Sequence, residues 1–347
     1  MAKLSLDQKR QLLVRVMTSK TKVLLICPRF FGYEERICSK LLELEYDVDL
    51  IIDTPSDKGV IKGLIRLFRP LFRGYITRSL SEKIKEVENQ NYSKIIIVKG
   101  EYVTEEILRY IKCRFSGAEL IYYNWDSIKN SPYSLSLIEQ VSRAYTFDSF
   151  DSECHKKLQL LPLFYVDEYR QEVIVDDLKY DVCFVGTARK GRFSCIEKIS
   201  SLQEELSLCF YVYVQSRIKH YINILMIEKY SKFDKRYINF SPITAVKIKE
   251  IFDSSKAVLD IQHPSQSGLT MRTFECLASG KKLITTNENI KYYDFYNEEN
   301  IFILRNGNIG ELQSFIRKPY VELNKDLVKK YSLESWSKTI MGCDNEW

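Results

Sequence analysis

Residues 257–286 read AVLDIQHPSQSGLTMRTFECLASGKKLITT, and this stretch decides the fold. It begins as an apolar strand, passes through a loop rich in proline, serine and glycine, and continues as a helix that Thr270 is placed to cap and Gly280 to end. A further short strand, 282–286, follows. This order predicts two parallel strands joined by a crossover helix, with ligands expected at the loop after the first strand.

The same rhythm of short apolar runs and helical stretches occurs throughout the chain. Such runs indicate parallel strands that helices cover on both faces. The chain has 347 residues, about twice the usual length of one domain. We therefore expect an α/β protein of two Rossmann-like, doubly wound domains that face a cleft. The predicted parts are an N-terminal domain over 1–165, a C-terminal domain over 166–320, and a helix over 321–347 that packs back across the interface.

Composition excludes several classes of protein. Hydrophobic residues make up 45% of the chain and charged residues 28%, which argues against long disorder. No apolar run approaches the roughly 20 residues that cross a bilayer, and no signal peptide precedes the first charges. Nine scattered cysteines without a C-x-x-C pair indicate buried apolar side chains in a reducing cytoplasm, not zinc ligands or disulfides. A net charge of +6 is too mild to predict a nucleic-acid partner.

The loop before the capped helix has the features of an anion site. Residues 267–270 present backbone N–H groups at a positive helix end. Arg272 and Glu275 are three residues apart and share one helix face. Glu275 is placed to accept both hydroxyls of a ribose whose phosphates lie at the helix start. The alternative is a surface ion pair on a well-capped helix.

A second basic turn follows the predicted strand 181–185. Residues 186–192 contain two glycines together with Arg189, Lys190 and Arg192, and these cations are suited to neutralising phosphate oxygens. An ordinary exposed basic turn is the alternative. His263, at the end of a strand beside the phosphate loop, is a candidate contact for a donor phosphate or sugar. Trp125 is a candidate for stacking on a sugar ring, and a packed core or rim role is the alternative for both.

The pattern G-x-x-x-R-x-x-E-x-x-A-x-G over 268–280 resembles the donor-nucleotide site of GT-B glycosyltransferases. The resemblance is strongest to CgeB-like transferases and to bacterial transferases of capsule and lipopolysaccharide biosynthesis. Three other segments resemble the same group, namely VKGE over 98–101, YYNWDS over 122–127 and DVCFVGT over 181–187. The resemblance therefore extends over residues 22–290, which is most of the chain.

The resemblance implies a role for each matching residue. It places Glu275 on the donor ribose, Gly268 to Thr270 on the diphosphate, Arg189 or Lys190 on the phosphate charge, and the turn 240–243 around the base. Many retaining relatives have a glutamate in an E-G-F-G loop where this chain has Gln266-Ser-Gly268, which leaves retention or inversion open. The expected donor-binding residues are Gly186, Arg189, Lys190, Ser241, Ile243, His263, Ser267, Gly268, Leu269, Thr270, Arg272 and Glu275.

The reaction that such a site implies needs no metal or other cofactor, because N–H donors and cations stabilise the departing diphosphate. Asp148 and Asp151 are interpreted as turn residues, with a metal site as the alternative. If the reaction inverts the sugar, a first-domain carboxylate must deprotonate the acceptor hydroxyl. Glu101 and Asp126 follow predicted strands and are the candidates, with a structural or acceptor-orienting role as the alternative.

Cations recur every three to five residues through 58–78, among them Lys62, Arg66, Arg69 and Arg73, with apolar residues between them. A basic amphipathic segment of this kind suits the headgroup layer of an anionic membrane. The alternatives are a segment packed on the sheet with its cations in solvent and, less favoured, a nucleic-acid contact.

The expected function is transfer of a sugar from a nucleotide-diphosphate donor to a lipid-linked or oligosaccharide acceptor of lipopolysaccharide, O-antigen or capsule type. The enzyme is expected at the cytoplasmic face of the cell membrane as a peripheral protein. A nucleotide-sugar epimerase of the same fold is one alternative. A non-catalytic scaffold subunit that binds nucleotide sugars is another.

Overall fold

The computed structural model describes residues 20–55, 65, 68, 70–170, 178–189, 191–227, 230 and 233–343. The chain divides into two compact units. The first comprises the residues up to Thr146 together with Cys154–Gln159. The second comprises Phe147–Glu153 and the residues from Leu160 onward.

The first unit is built on a six-stranded sheet in the order β2-β1-β3-β4-β5-β6, and every pair from β2 to β5 is parallel. Its central strands are almost fully buried because helices cover both faces. The elements are β1 (Lys22–Cys27), α1 (Tyr33–Glu43), β2 (Asp47–Ile52), α2 (Arg73–Glu86), β3 (Lys94–Val98), α3 (Glu105–Arg114), β4 (Glu119–Asn124), α4 (Ser134–Gln140), β5 (Arg143–Thr146), α5 (Ser149–Cys154) and β6 (Leu158–Leu160).

The second unit has a six-stranded sheet in which every neighbouring pair is parallel, in the order β12-β11-β10-β7-β8-β9. The predicted α/β class with two doubly wound sheets is thereby confirmed. The elements are β7 (Tyr180–Thr187), α6 (Phe193–Ser200), β8 (Leu208–Tyr213), α7 (Arg217–Met226), β9 (Ile238–Asn239), α8 (Ala245–Asp253), β10 (Ser255–Asp260), α9 (Met271–Ala278), β11 (Lys282–Thr285), β12 (Ile301–Ile303), α10 (Leu312–Arg317), α11 (Lys325–Lys330) and α12 (Leu333–Met341).

Each sheet reverses its direction of growth at one place. In the second unit the chain grows outward from β7 through β8 to β9, and then starts again on the other side of β7 with β10. In the first unit the reversal lies between β1 and β3. The loops that leave neighbouring strands diverge at such a point and open a crevice, so the carboxyl ends of β7 and β10 are the expected place for a ligand.

The domain boundary predicted after residue 165 lies in a segment that packs into the second unit. The apolar side chains of 161–166 are buried, since each of them is at most 4% exposed. The Tyr165 N–H donates to the Tyr331 carbonyl (3.0 Å), and the Leu333 N–H donates to the Tyr165 carbonyl (2.9 Å). The single helix expected near the C-terminus is instead two helices, because Ser332 caps a new one by accepting from the Ser335 N–H.

Two other features bear on the sequence predictions. All nine cysteines are free, but Cys113, Cys154 and Cys343 are exposed, so the expectation that the cysteines are buried holds for only part of the set. In the described ranges, no helix is both long enough and apolar enough to cross a membrane.

Candidate functional site

Asp260, the last residue of β10, organises the start of α9. Its Oδ2 atom accepts from the Thr270 hydroxyl (2.8 Å) and from the Thr273 hydroxyl (3.0 Å). Thr270 in turn caps the helix by accepting from the Arg272 N–H (3.1 Å). Burial raises the pKa of Asp260, while the two hydroxyls and the nearby Arg272 and Arg192 lower it. The hydrogen bonds from Thr270 and Thr273 to Asp260 hold the start of α9 at the carboxyl end of β10.

Arg192 and Arg272 lie near this carboxylate, and Arg189 lies near Arg192. Burial, together with the positive charges of Arg189 and Arg272, lowers the pKa of Arg192 to about 10 against the opposing effect of Asp260. Three arginines against two carboxylates, Asp260 and the Glu275 that pairs with Arg272, leave an excess of one positive charge at the switch point of the sheet. Because like charges in a poorly solvated place repel one another, the arginine cluster is suited to binding an anion.

Gly186, near the end of β7, makes room for one of these arginines. A Cβ atom built on Gly186 would lie 2.7 Å from the Phe184 ring and 3.0 Å from Arg192 Nη1. Arg192 Nη1 donates to the Thr187 carbonyl (3.0 Å), and its guanidinium lies 5.9 Å from the centre of the Phe184 ring. The missing side chain at Gly186 therefore makes room for Arg192. The sequence predicts a different role for this glycine, namely the close approach of a ligand to the backbone.

Glu275 lies one turn into α9 and is 3% exposed. Its Oε2 atom accepts from Arg272 Nη1 (2.9 Å), which matches the helix face predicted for this pair. The Arg272 guanidinium also lies 4.8 Å from the centre of the Phe252 ring, a cation–π contact. Arg272 thus connects the carboxylate of Glu275 with the arginine cluster around Asp260.

The loop 267–268 differs from the sequence expectation, because its backbone N–H groups already have an anionic partner. Asp148 Oδ2 accepts from the Ser267 N–H (2.7 Å) and from the Gly268 N–H (3.3 Å), and Oδ1 accepts from the Ser267 hydroxyl. Asp148 also accepts from the Asp151 N–H (3.3 Å). The interpretation of Asp148 as a turn residue therefore misses its main contacts, which are with a loop more than a hundred residues away.

The carbonyl groups of the same loop are held as well. Asn287 Nδ2 donates to the carbonyls of Ser267 (3.1 Å) and Gly268 (3.2 Å), and Asn289 Nδ2 donates to that of Ser267 (3.0 Å). The loop is fixed on both sides by side chains from other segments. Of the predicted anion site, Ser267 and Gly268 are hydrogen-bonded to Asp148. Thr270 and the arginine cluster make up the rest of the site at the start of α9.

Gly268→Ala should lower stability by about 1–3 kcal/mol, because an added Cβ would lie 2.4 Å from the Phe147 carbonyl oxygen and 2.6 Å from its ring. Gly310→Ala is the matched control, since nothing lies within 4 Å of the corresponding Cβ. Urea unfolding of both variants measures the difference. Equal stabilities would contradict the close approach of Phe147.

The remaining donor-binding candidates are distributed along the carboxyl edge of the sheet. His263 Nδ1 pairs with the Ser265 hydroxyl (2.6 Å), a contact within its own loop. Ser241 and Ile243 follow β9, two strands away from β7, and the Ser241 carbonyl accepts from the Tyr211 hydroxyl (2.7 Å). The Leu269 side chain is buried in the core, and Lys190 lies outside the described residues.

The first unit places both candidate carboxylates at the carboxyl edge of its sheet. Glu101, just after β3, pairs with Lys99 (Nζ to Oε2, 3.1 Å). Asp126, just after β4, accepts from the Ser127 N–H (2.9 Å) and from Asn130 Nδ2 (3.0 Å), so it stabilises its own turn. Glu101 is at the switch point of this sheet, where Lys99 has a left-handed φ of 62°.

A third carboxylate in this region escaped sequence reasoning. Asp53 follows β2 and is 1% exposed, and among the described residues neither of its oxygens has a hydrogen-bond partner. Burial and the nearby Glu101 raise its pKa to about 7, against the opposing effects of the Tyr102 backbone, Lys99 and Lys83. Asp53 follows a strand, as Glu101 and Asp126 do, and this position could have identified it from the sequence.

Aromatic side chains lie beside these carboxylates. The Phe30 ring contacts Phe31, Tyr33 and Trp125 at centroid distances of 4.8 to 6.2 Å. Phe31 is largely exposed and has a left-handed φ of 53°. An exposed aromatic cluster next to carboxylates is typical of surfaces that bind sugar rings through their apolar faces.

Of the four cations predicted to face a membrane, only Arg73 is described, since Lys62, Arg66 and Arg69 lie outside the described residues. Arg73 begins α2 and pairs with Glu106 (Nη2 to Oε1, 2.5 Å). Within the described ranges, no three His, Cys, Asp or Glu side chains are grouped so that they could hold a metal ion.

No family model and no curated protein matches the sequence. Solved structures do match its fold. Sucrose-phosphate synthase from Thermosynechococcus elongatus superimposes with a TM-score of 0.62 at 11% identity and covers 93% of this chain and 98% of its own. AviGT4, a glycosyltransferase of avilamycin A biosynthesis, superimposes with a TM-score of 0.58 at 12% identity and covers 93% of this chain and 96% of its own.

HepE from Anabaena in complex with UDP-glucose gives a TM-score of 0.58 at 10% identity, over 92% of this chain and 98% of its own. UDP-N-acetylglucosamine 2-epimerase from Rickettsia bellii gives a TM-score of 0.52 at 10% identity, over 94% of this chain and 96% of its own. At these identities the likeness concerns architecture alone. The two parallel six-stranded α/β units have the GT-B fold, and the solved structures that share it include glycosyltransferases.

Proposed function

We propose that this protein is a GT-B glycosyltransferase, similar to the CgeB-like and capsule or lipopolysaccharide-type enzymes. It moves a sugar from a nucleotide-diphosphate donor to a lipid-linked or oligosaccharide acceptor of lipopolysaccharide, O-antigen or capsule type. The observation that carries the proposal is the cluster of Arg189, Arg192 and Arg272 around Asp260 at the switch point of the second sheet. Its guanidinium groups are suited to the anionic diphosphate of a nucleotide sugar.

Each part of the donor has a proposed partner in the second unit. The arginine cluster and the capped start of α9 bind the diphosphate, and Glu275 accepts the ribose hydroxyls. Ser241 and Ile243 frame the base, and His263 contacts the phosphate or the sugar. Fixed cations stabilise the negative charge that develops on the leaving diphosphate, so the proposal assigns that role to arginines and requires no metal.

The first unit is proposed to bind the acceptor through its aromatic cluster and carboxylates. If the sugar is inverted, the acceptor hydroxyl loses its proton to Glu101 as its oxygen bonds to the anomeric carbon. The bond from that carbon to the phosphate oxygen breaks, and the nucleoside diphosphate leaves with the electron pair. Glu101 is preferred to Asp126 because the latter stabilises its own turn.

Glu275→Gln should weaken donor binding by about 10–100-fold, because a hydrogen bond to a charged group contributes roughly 1.5–3 kcal/mol. The measurement is thermal shift with UDP-, GDP-, dTDP-, ADP- and CMP-sugars and their free nucleotides, since a ligand of the native state raises the midpoint. Glu334→Gln is the matched control, because this glutamate also pairs with a cation on a helix, Lys338 in α12.

The outcomes separate the candidate functions. Undiminished affinity in folded Glu275→Gln would contradict the ribose assignment, and no shift with any nucleotide sugar would contradict the donor site. The epimerase alternative predicts conversion of the bound nucleotide sugar without an acceptor, visible by proton NMR. The scaffold alternative predicts binding without either transfer or slow donor hydrolysis.

A further inference from the structure

Helix α7 directs apolar side chains away from the protein. Its most exposed apolar residues recur at spacings of three and four, so they form one stripe along the helix. Between 52% and 84% of each residue is exposed. The stripe consists of Ile218, Tyr221, Ile222, Leu225 and Met226. On an ordinary surface helix such a stripe would face the core.

The opposite, inward face of α7 is largely polar. Asn223 is its buried residue, and the His220 ring nitrogen Nδ1 pairs with the buried Tyr230 hydroxyl (2.5 Å). Among the described residues of the helix, Ile224 is the apolar side chain that packs against the core of the unit. The usual arrangement is therefore reversed, with polar groups inside and apolar groups outside. Folding leaves this apolar stripe in water, so a partner that covers it would gain hydrophobic free energy.

The charge around the stripe indicates what that partner is. In the described part of the crossover from β8 to β9, four residues are lysine or arginine and one, Asp234, is acidic, a surplus of three positive charges. Arg217 and Lys219 are exposed on α7 itself. The Arg217 guanidinium also lies 5.9 Å from the centre of the Phe240 ring.

We propose that α7 is an interfacial helix that binds an anionic lipid membrane, with its apolar stripe among the acyl chains and its cations at the headgroups. Helices of this composition lie in the plane of the interface, and basic residues near an anionic surface strengthen the binding. A second copy of the chain is a poorer partner, because pairing would bring two basic crossovers together. The proposal goes beyond the proposed function, since neither donor nor catalytic residues are involved.

The test is co-sedimentation with vesicles of phosphatidylethanolamine and phosphatidylglycerol (3:1), compared with phosphatidylcholine alone. The wild-type protein should bind the anionic vesicles and lose binding as salt is raised. Leu225→Glu/Met226→Glu should reduce the bound fraction at least about tenfold, and the fold should tolerate both changes because both residues are exposed. Tyr292→Glu/Val321→Glu is the matched control, as it adds the same charge at exposed apolar positions elsewhere in the second unit.

Three outcomes would overturn the proposal. The first is that the wild-type protein fails to bind anionic vesicles. The second is that the α7 variant binds them as well as the wild type does, which would transfer the role to the segment around Lys62 and Arg66. The third is a wild-type dimer that becomes monomeric in the α7 variant by sedimentation velocity, which would make a second copy the partner. Thermal shift with nucleotide sugars should be unchanged in the α7 variant, so failure here is distinguishable from failure of the proposed donor site.

Discussion

Asp53→Asn should make the protein more stable at pH 8. It should also abolish most of the loss of stability that the wild type shows as pH rises from about 4 to 7. The carboxyl is 1% exposed and lacks a hydrogen-bond partner among the described residues. Its pKa is raised from 3.8 to about 7, chiefly by burial. Asparagine has nearly the same shape but no charge to desolvate.

The sign follows from proton linkage. Below pH 3.8 Asp53 is protonated in both states and has no effect on the pH dependence. Between pH 3.8 and about 7 the folded state retains the proton that the unfolded state has released, so stability falls as pH rises. Above pH 7 the loss is complete and amounts to a few kcal/mol, since one pKa unit corresponds to about 1.4 kcal/mol.

The charged groups that face Asp53 set the size of this effect. Glu101 opposes its ionisation, whereas Lys83 and Lys99 favour it. Glu34, on α1, is also close, because it and Asp53 both raise the pKa of Cys27. The experiment measures the melting temperature from pH 4.5 to 8.5, where Asp53→Asn should give the flatter profile and the higher value at pH 8.

Asp260→Asn is the control, because Asp260 is equally buried but accepts hydrogen bonds from Thr270 and Thr273. Asparagine there replaces a charged acceptor and should lower stability by about 1–3 kcal/mol. Opposite signs for the two substitutions would show that the effect at Asp53 comes from its missing partners. A loss of stability in both variants would mean that Asp53 has a partner in solution.

Features that depend on neighbours in the sequence could be predicted from it. The strand and helix of 257–278 follow from local apolar periodicity, and the cap at Thr270 and the Arg272–Glu275 pair follow from spacing along one helix. The doubly wound α/β class follows from the alternation of strands and helices. These features determine where the candidate site lies.

Features that depend on distant contacts could not be predicted in the same way. The partner of the loop at Ser267 is Asp148, and nothing in either segment specifies the other. The segment around Phe164, where the sequence predicts a domain boundary, is buried beside α12 through hydrogen bonds with residues more than 150 positions away. The apolar residues of α7 have the periodicity of an amphipathic helix, but periodicity does not determine which face points inward.

Asp148→Ala should lower the free energy of unfolding by about 3–5 kcal/mol, one of the largest single losses expected in this chain. The carboxylate is 2% exposed and receives the Ser267 and Gly268 N–H groups and the Ser267 hydroxyl. Alanine leaves these buried donors without their acceptor, and the cost of unpaired buried donors adds to that of the lost charged hydrogen bonds. Asp326→Ala, at an exposed position, should change stability by less than about 1 kcal/mol.

Urea unfolding measures both variants, and a loss below about 1 kcal/mol for Asp148→Ala would contradict the importance of this contact. The same variant distinguishes two ways of binding a donor. If Asp148 occupies an N–H pair that phosphate would otherwise use, inorganic phosphate should raise the melting temperature of Asp148→Ala more than that of the wild type. Because Arg192 and Arg272 are unchanged in this variant, equal shifts would mean that the arginine cluster binds the anion by itself and that the N–H groups serve only to hold the loop.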